Sequence, residues 1–214
     1  MTRRAKRASG AVRERLVSRS WPQLAGSACS AWWLREIIDA VREDSYPAQL
    51  CLGPVAMVDA VVVPLVAFDD EVVGARMRVG LEPALDRLSL RERLDGQGNG
   101  AVTPVVDATF LGVWARTSLS ALARLGGYGE VALLVPDGAS PTMIELAECD
   151  WRGIGVATVG SGGEVDWLVS AARPVHRNRW TNMRAEQLLD LAFAMPGTYA
   201  SPSRFGAVGQ EMSV

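Results

Sequence analysis

The sequence predicts an α/β fold, with a central mixed β-sheet flanked by helices. Short apolar runs typical of buried strands alternate with helical patterns throughout the second half of the chain. The chain has 214 residues, 49% of them hydrophobic, which is enough to bury one sizeable core. A formal net charge of only -2 argues against an intrinsically disordered chain.

The first half of the core begins with an amphipathic helix. Apolar side chains recur at helical spacing on one face of Ala31–Glu43, and Ser45-Tyr46-Pro47 ends the pattern. We expect strands at Val55–Val63, Leu65–Phe68 and Val72–Val79, a turn at Asp69-Asp70-Glu71, and a helix at Glu82–Leu94.

The second half alternates strands with helices. Its predicted elements are a strand at Val102–Ala108, a helix at Leu111–Leu125, a strand at Val131–Val135, a helix from Ser140-Pro141 to Cys149, a hairpin of Gly153–Val159 with Val165–Ser170, and a helix at Ala185–Met195. Ser140 is the expected N-cap of its helix, because proline is favoured at the first helical position that follows a cap.

The predicted elements and the distribution of charge divide the chain into three regions. We interpret residues 1–30 as a basic N-terminal arm, 31–171 as the α/β core domain, and 172–214 as a C-terminal helix with a loose tail. Residues 1–19 hold seven basic side chains and one acidic one, whereas the rest of the chain holds 15 basic and 23 acidic side chains. A basic arm on an acidic body is typical of DNA contact through phosphates, although a solvated tail has the same composition.

Two groups of basic residues are candidates for nucleic-acid binding. The candidates are Arg3, Arg4, Lys6 and Arg7 in the arm, and Arg173, Arg177 and Arg179 after the last predicted strand. Trp180 and Arg184 extend the second group, since arginine beside an aromatic ring can hold a nucleic-acid strand. Packing of long arginine side chains against the core is the alternative interpretation of this second group.

The composition also predicts the compartment. Three widely spaced cysteines, Cys29, Cys51 and Cys149, indicate neither a zinc site nor a disulfide framework. The start of the chain lacks the apolar stretch of a secretory signal, so we expect a cytoplasmic protein. The apolar stretch Leu50–Phe68 is interrupted by glycine, proline and aspartate, which predicts buried strands and no membrane partner.

Acidic residues at predicted strand ends are the candidate catalytic groups. Asp69 and Asp70 lie in the predicted turn, and Asp107 lies near the end of the Val102–Ala108 strand. Two such carboxylates could hold Mg²⁺, which prefers oxygen ligands, although an ordinary turn explains Asp69 and Asp70 equally well.

Residues 102–171 resemble the core of the restriction-endonuclease-like, or PD-(D/E)xK, superfamily. In that core a helix and strands precede an apolar strand bearing (D/E)-x-K, and a helix and a further strand follow it. Val105-Val106-Asp107-Ala108-Thr109 stands at the (D/E)-x-K strand, and Gly153-Ile-Gly-Val156 resembles a strand found after the core. With the preceding helix and strands, the similarity extends over residues 31–171.

The resemblance implies a metal site but breaks at the lysine. In the family, carboxylates hold Mg²⁺ and the lysine assists the attacking water. Here Asp107 keeps a carboxylate, Asp69, Asp70 or Asp59 would supply the second, and Thr109 stands at the lysine position. The one lysine of the chain is Lys6, in the arm.

Three functions follow as hypotheses. The leading one is a catalytically degenerate nuclease-like module, not an enzyme and without a cofactor, that binds DNA or a partner protein. The first alternative is a metal-dependent nuclease that uses Asp107 with Asp69 or Asp70, in which Asp107 and Asp70 would hold Mg²⁺. The second is a protein-interaction subunit with no nucleic-acid role, which would dock a partner through Trp21, Trp32 and Trp33.

Overall fold

A computed structural model of the chain describes residues 17–26, 30–78, 104–160, 162–172 and 179–194. The strands in this part are β1 (Val17–Ser18), β2 (Leu50–Cys51), β3 (Val55–Met57), β4 (Ala60–Phe68), β5 (Val105–Val113), β6 (Glu130–Val135), β7 (Ile154–Val159) and β8 (Val165–Val169). The helices are α1 (Trp21–Ala25), α2 (Ala31–Ser45), α3 (Asp70–Arg78), α4 (Leu119–Leu125), α5 (Met143–Trp151) and α6 (Arg179–Ala194).

The strands form one mixed sheet, which confirms the predicted α/β class. Seven strands lie in the order β1-β3-β4-β5-β6-β7-β8, and β2 pairs with β4 beside β3. The β3–β4 and β4–β5 pairs are antiparallel, β5, β6 and β7 are parallel, and β8 returns antiparallel to β7. Helices α4 and α5 make the two connections that parallel strands require.

Helices cover both faces of the sheet. On one face, α1 and α2 bury Leu34, Ile37 and Ile38 against Leu111 and Leu134. On the other face, the core includes residues of α4, α5 and α6, namely Leu122, Leu125, Cys149 and Leu188, packed with Phe110 and Val156 of the sheet. Because the central strand β6 is covered on both sides, all six of its residues are buried.

Several predicted elements are confirmed. Helix α2 begins at Ala31 as expected, β6 contains Val131–Val135, and β7 and β8 form the predicted antiparallel hairpin. The apolar stretch Leu50–Phe68 is divided among β2, β3 and β4. Within the described ranges, no helix is long and apolar enough to cross a membrane.

The predicted turn and strand after β4 were wrong, because this segment is helix α3. The side chain of Asp69 accepts hydrogen bonds from the backbone N–H groups of Glu71 and Val72, at 3.1 and 3.0 Å. This is how a helix N-cap satisfies unpaired N–H groups. The capping aspartate therefore starts a helix where the side-chain alternation of Val72–Val79 favoured a strand.

The predicted helix Leu111–Leu125 was also wrong over its first part. Strand β5 continues to Val113, and α4 begins only at Leu119. From Ala108 to Val113 every residue of β5 is buried, since side chains of both faces meet helices. An apolar run buried on both faces does not show the alternation that distinguishes a strand from a helix.

The boundaries of two other helices differ from prediction. Helix α5 is capped by Thr142 rather than Ser140, and α6 begins at Arg179 rather than Ala185. The predicted helix Glu82–Leu94 lies outside the described residues. The N-terminal region contributes to the core, because β1 pairs with β3 and Leu24 and Ala25 of α1 are buried against the α2 face.

Candidate functional site

Asp107 and Thr109 lie near the beginning of β5, on the face of the sheet that α2 covers. Leu111 and Val113 of the same strand belong to the core under α2. Because side chains alternate along a strand, Asp107 and Thr109 share that face. Thr109 is completely buried, whereas Asp107 is half-buried. Asp107 and Thr109 are therefore side by side at one end of the sheet.

Glu130 is brought to the same place by the parallel pairing of β5 with β6. Thr109 pairs with Glu130, the first residue of β6. Glu130 is 5% exposed, and its Oε2 accepts a hydrogen bond of 3.1 Å from the Tyr46 hydroxyl. A carboxylate at this depth requires hydrogen-bond partners, and the Tyr46 phenol supplies one of them.

Tyr46 lies at the C-terminal end of α2 and remains a neutral hydrogen-bond donor. Burial raises the pKa of its phenol strongly, and the charge of Glu130 and its hydrogen bond to the phenol raise the pKa further. The Asp107 charge raises this pKa slightly. The Tyr46 hydrogen bond to Glu130, the pairing of Glu130 with Thr109 and the position of Asp107 two residues before Thr109 bring four residues to one end of the sheet. We call these four residues the polar cluster.

Trp167 of β8 holds Tyr46 and the end of α2 in position. The rings of Tyr46 and Trp167 of β8 meet edge to face, with their centroids 6.3 Å apart. The indole N–H of Trp167 donates to the Ser45 hydroxyl at 3.1 Å. The end of α2 is thereby fixed to the sheet, which orients the phenol toward Glu130.

Two buried oxygen atoms, one in the polar cluster and one outside it, have no hydrogen-bond partner among the described residues. They are Thr109 Oγ1 and Gln49 Oε1. The Gln49 backbone N–H donates to the Tyr46 carbonyl at 2.9 Å. Gln49 immediately precedes β2, which pairs with β4 on the side away from β5. Of these two oxygens, Thr109 Oγ1 is the one within the polar cluster.

The structure separates Asp69 and Asp70 by role. Asp69 Oδ1 accepts the hydrogen bonds that begin α3, and Asp70 is an exposed residue in the first turn of that helix. Asp107 Oδ1 accepts from the Ala108 N–H at 2.9 Å. Within the described part of the chain, no group of three or more His, Cys, Asp or Glu side chains could hold a metal ion.

Sequence reasoning missed Glu130 and Tyr46. Glu130 is a charged residue at the start of a continuous apolar strand, which is an unusual place for a carboxylate. That position could have indicated a site at Glu130, since the first residues of neighbouring parallel strands lie at one edge of the sheet. Nothing local to Tyr46 indicated its contact with a residue 84 positions away.

Most candidate DNA-binding residues fall outside the described ranges. The residues outside these ranges are Arg3, Arg4, Lys6, Arg7, Arg173 and Arg177. The remaining candidate, Arg179, is described and is the first residue of α6. Arg184 of the same basic group is only 7% exposed. Its guanidinium lies 5.6 Å from the centre of the Tyr128 ring and donates to Gln187. Packing therefore accounts for Arg184, as the alternative interpretation expected.

Comparison of the chain with protein-family models, with curated proteins and with solved structures finds no match. The functional argument therefore rests on the geometry of the polar cluster and on the distribution of charge along the sequence.

Proposed function

We propose that this chain is a nuclease-like module that binds DNA and has lost the cleavage chemistry of active nucleases. The observation that carries the proposal is the order of elements around Asp107. A helix, α2, precedes the antiparallel strands β3, β4 and β5, and α4 then leads to β6, which is parallel to β5. This is the order that the resemblance leads us to expect, with Asp107 and Thr109 on the strand of the (D/E)-x-K motif.

The surroundings of Thr109 support a degenerate site. Thr109 is fully buried at the position where the family has lysine, and the one lysine of the chain is Lys6. A threonine hydroxyl carries no positive charge with which to orient an attacking water or stabilise a developing anion. The Glu130 carboxylate, in turn, already accepts a hydrogen bond from Tyr46. We infer that the scaffold serves binding rather than cleavage.

We propose that the basic arm provides the DNA contacts, in a cytoplasmic protein. Seven of the first 19 residues are basic, while the rest of the chain has a charge of -8. Phosphate contacts make binding fall steeply with salt and give little sequence preference. Cys51 and Cys149 are free thiols, consistent with a reducing compartment.

Fluorescence anisotropy with labelled duplex DNA across a salt series tests the binding. The arm should be altered by substitution, because β1 at Val17–Ser18 pairs with β3 and a long deletion would remove it. Changing Arg3, Arg4, Lys6 and Arg7 to Gln should flatten the slope of log K against log salt by up to about 3.6, if all four contact phosphates.

A charge-preserving variant is the matched control for this experiment. Changing Arg3, Arg4 and Arg7 to Lys, with Lys6 kept, should leave the salt slope close to that of the wild type. Absence of binding at about 50 mM salt, or a wild-type slope in the Gln variant, would contradict the proposal.

Metal-dependent DNA cleavage is a second candidate, favoured by the register of β5 with β6. Asp107 lies two residues before Thr109 on the same face of β5, and Thr109 pairs with Glu130, so two carboxylates share one side of the sheet. With the neighbouring Thr109 hydroxyl, they supply the oxygen atoms that Mg²⁺ prefers as ligands. Asp69 and Asp70 remain the other candidates for the second carboxylate.

Cleavage assays with Mg²⁺ or Mn²⁺ separate these possibilities. If the protein is a nuclease, Asp107→Asn should abolish cleavage of duplex DNA. Loss of cleavage in Glu130→Gln with retention in Asp70→Asn would assign Glu130 as the second carboxylate, and the converse result would assign Asp70. No metal-dependent cleavage by the wild type, or cleavage that survives Asp107→Asn, would reject this mechanism.

A further inference from the structure

Helix α5 presents an apolar face to solvent. Met143, Ile144 and Trp151 are 80%, 82% and 83% exposed. They are half of the exposed large hydrophobic residues found in the described part of the chain, although α5 has only nine residues. Isolated exposed apolar residues are ordinary, whereas a contiguous group of large ones marks an interaction surface.

The helical geometry gathers these side chains into one stripe. At 3.6 residues per turn, Met143, Ile144, Ala147 and Trp151 lie within an arc of about 100°. The residues that anchor α5 to the sheet are elsewhere on the helix, where Cys149 is fully buried and Leu146 packs against the same core. Helix α5 therefore has a second apolar face directed away from the core, which we call the outer α5 face.

Acidic residues border the outer α5 face on both sides. The same geometry places Asp150 along one edge and Glu148 along the other, and both are exposed. The nearby Arg152 is already engaged, because its guanidinium donates twice to Glu148 Oε1, at 3.0 and 2.8 Å. Arg152 also lies 5.8 Å from the centre of the Trp151 ring, so Glu148 is already paired at this edge, and Asp150 is the unpaired acidic residue of the rim among the described residues. The rim keeps a net negative charge.

The helix is also held in its conformation before any partner arrives. The Thr142 side chain accepts from the Glu145 N–H at 3.3 Å, and the Glu145 carboxylate accepts from the Thr142 N–H at 2.7 Å. This reciprocal capping fixes the first turn. A preformed surface with an exposed tryptophan resembles the centres of protein interfaces, where tryptophan, methionine and arginine are enriched.

We infer that the outer α5 face docks a basic amphipathic helix of a partner protein. Leucine-like side chains of such a helix would cover the apolar stripe, and a flanking Lys or Arg would meet Asp150. The acidic rim disfavours nucleic acid and anionic membranes, because their phosphates would face like charge. This surface is separate from the polar cluster, so the inference does not depend on DNA binding.

A fluorescein-labelled 18-residue helical peptide tests the inference with the full-length protein. The peptide carries Leu on one face and Lys on the other, and binding is measured by anisotropy. Two matched peptides separate the contributions, one with Glu replacing Lys and one with Ser replacing Leu. We expect the Leu–Lys peptide to bind at least tenfold more tightly than either control. Equal binding of the Ser–Lys peptide would overturn the inference by showing that charge alone attracts it.

Protein variants locate the binding surface. The double substitution Ile144→Ser and Trp151→Ser should weaken binding of the Leu–Lys peptide at least tenfold without loss of folding, since both side chains are exposed. The control is Trp32→Ser, which removes a tryptophan 68% exposed on α2, on the opposite side of the sheet. Its affinity should match that of the wild type.

Three results would overturn the inference. One is failure of the Leu–Lys peptide to bind the wild type, and another is unchanged binding by the double variant. The third is a stable wild-type dimer, measured by light scattering after gel filtration, that the double substitution converts to a monomer. That last result would make a second copy of the chain the occupant of the outer α5 face.

Discussion

At the scale of single residues, two buried threonines near β5 differ in whether their hydroxyls are used. Thr117 Oγ1 accepts a hydrogen bond of 3.0 Å from the Val113 N–H, whereas Thr109 Oγ1 has no partner among the described residues. An unpaired buried polar group costs about 1–3 kcal/mol. The two residues are therefore expected to respond oppositely to the same substitution.

Thr109→Val should raise the free energy of unfolding by about 1 kcal/mol, because it removes an unpaired hydroxyl at nearly constant volume. Thr117→Val is the matched control and should lower it by about 1–3 kcal/mol, since the Val113 N–H loses its acceptor. Urea denaturation followed by circular dichroism measures both. A destabilised Thr109→Val protein would indicate that the hydroxyl has a partner in solution.

Ionisation of Tyr46 should make the free energy of unfolding fall at alkaline pH. Because burial and Glu130 raise its pKa, the folded protein keeps the phenol proton at pH values where the unfolded chain, with a pKa of about 10, releases it. Unfolding then releases a proton, so stability should fall above about pH 10, with a slope of at most about 1.4 kcal/mol per pH unit from this group.

The variant Tyr46→Phe tests this dependence. Its free energy of unfolding should be lower at pH 8, because the hydrogen bond to Glu130 is lost, but it should decline less steeply than the wild type between pH 10 and pH 11. The raised pKa values of the Cys51 and Cys149 thiols affect both proteins and cancel in the comparison. Parallel pH profiles would show that Tyr46 ionises as easily in the folded protein as in the unfolded chain.

At the scale of elements, α5 shows how one side chain decides where a helix begins. Ser140 before a proline is a good N-cap in sequence, yet Thr142 makes the capping hydrogen bonds. We expect Thr142→Ala to lower the free energy of unfolding by about 1 kcal/mol. Ser140→Ala is the control and should change it by less than about 0.5 kcal/mol. Thermal or urea denaturation measures both variants. A larger loss of stability in Ser140→Ala than in Thr142→Ala would show that Ser140 is the N-cap of α5.

At the scale of the whole molecule, the close pairing of β5 with β6 connects the antiparallel part of the sheet to its parallel part. Gly129 lies just before β6, and a Cβ atom there would overlap the carbonyl oxygen of Ala108 on β5. We expect Gly129→Ala to lower the free energy of unfolding by about 1–3 kcal/mol, because one strand must move. Gly127→Ala, where a Cβ would meet open space, is the matched control for urea denaturation. Equal stability of both variants would mean that a small shift of β5 or β6 accommodates the added methyl group without loss of stability.

The sequence by itself determined the α/β class, helix α2, strand β6 and the β7–β8 hairpin. Each depends on a local periodicity or turn that neighbouring residues specify. Tertiary structure decided the length of β5, since burial on both faces removes the alternation that marks a strand. It also decided the candidate site. Asp107 was visible as a carboxylate beside an apolar run, but its neighbours Glu130 and Tyr46 come from distant segments. Their meeting depends on the register of β5 with β6 and on the packing of α2, which no local pattern encodes.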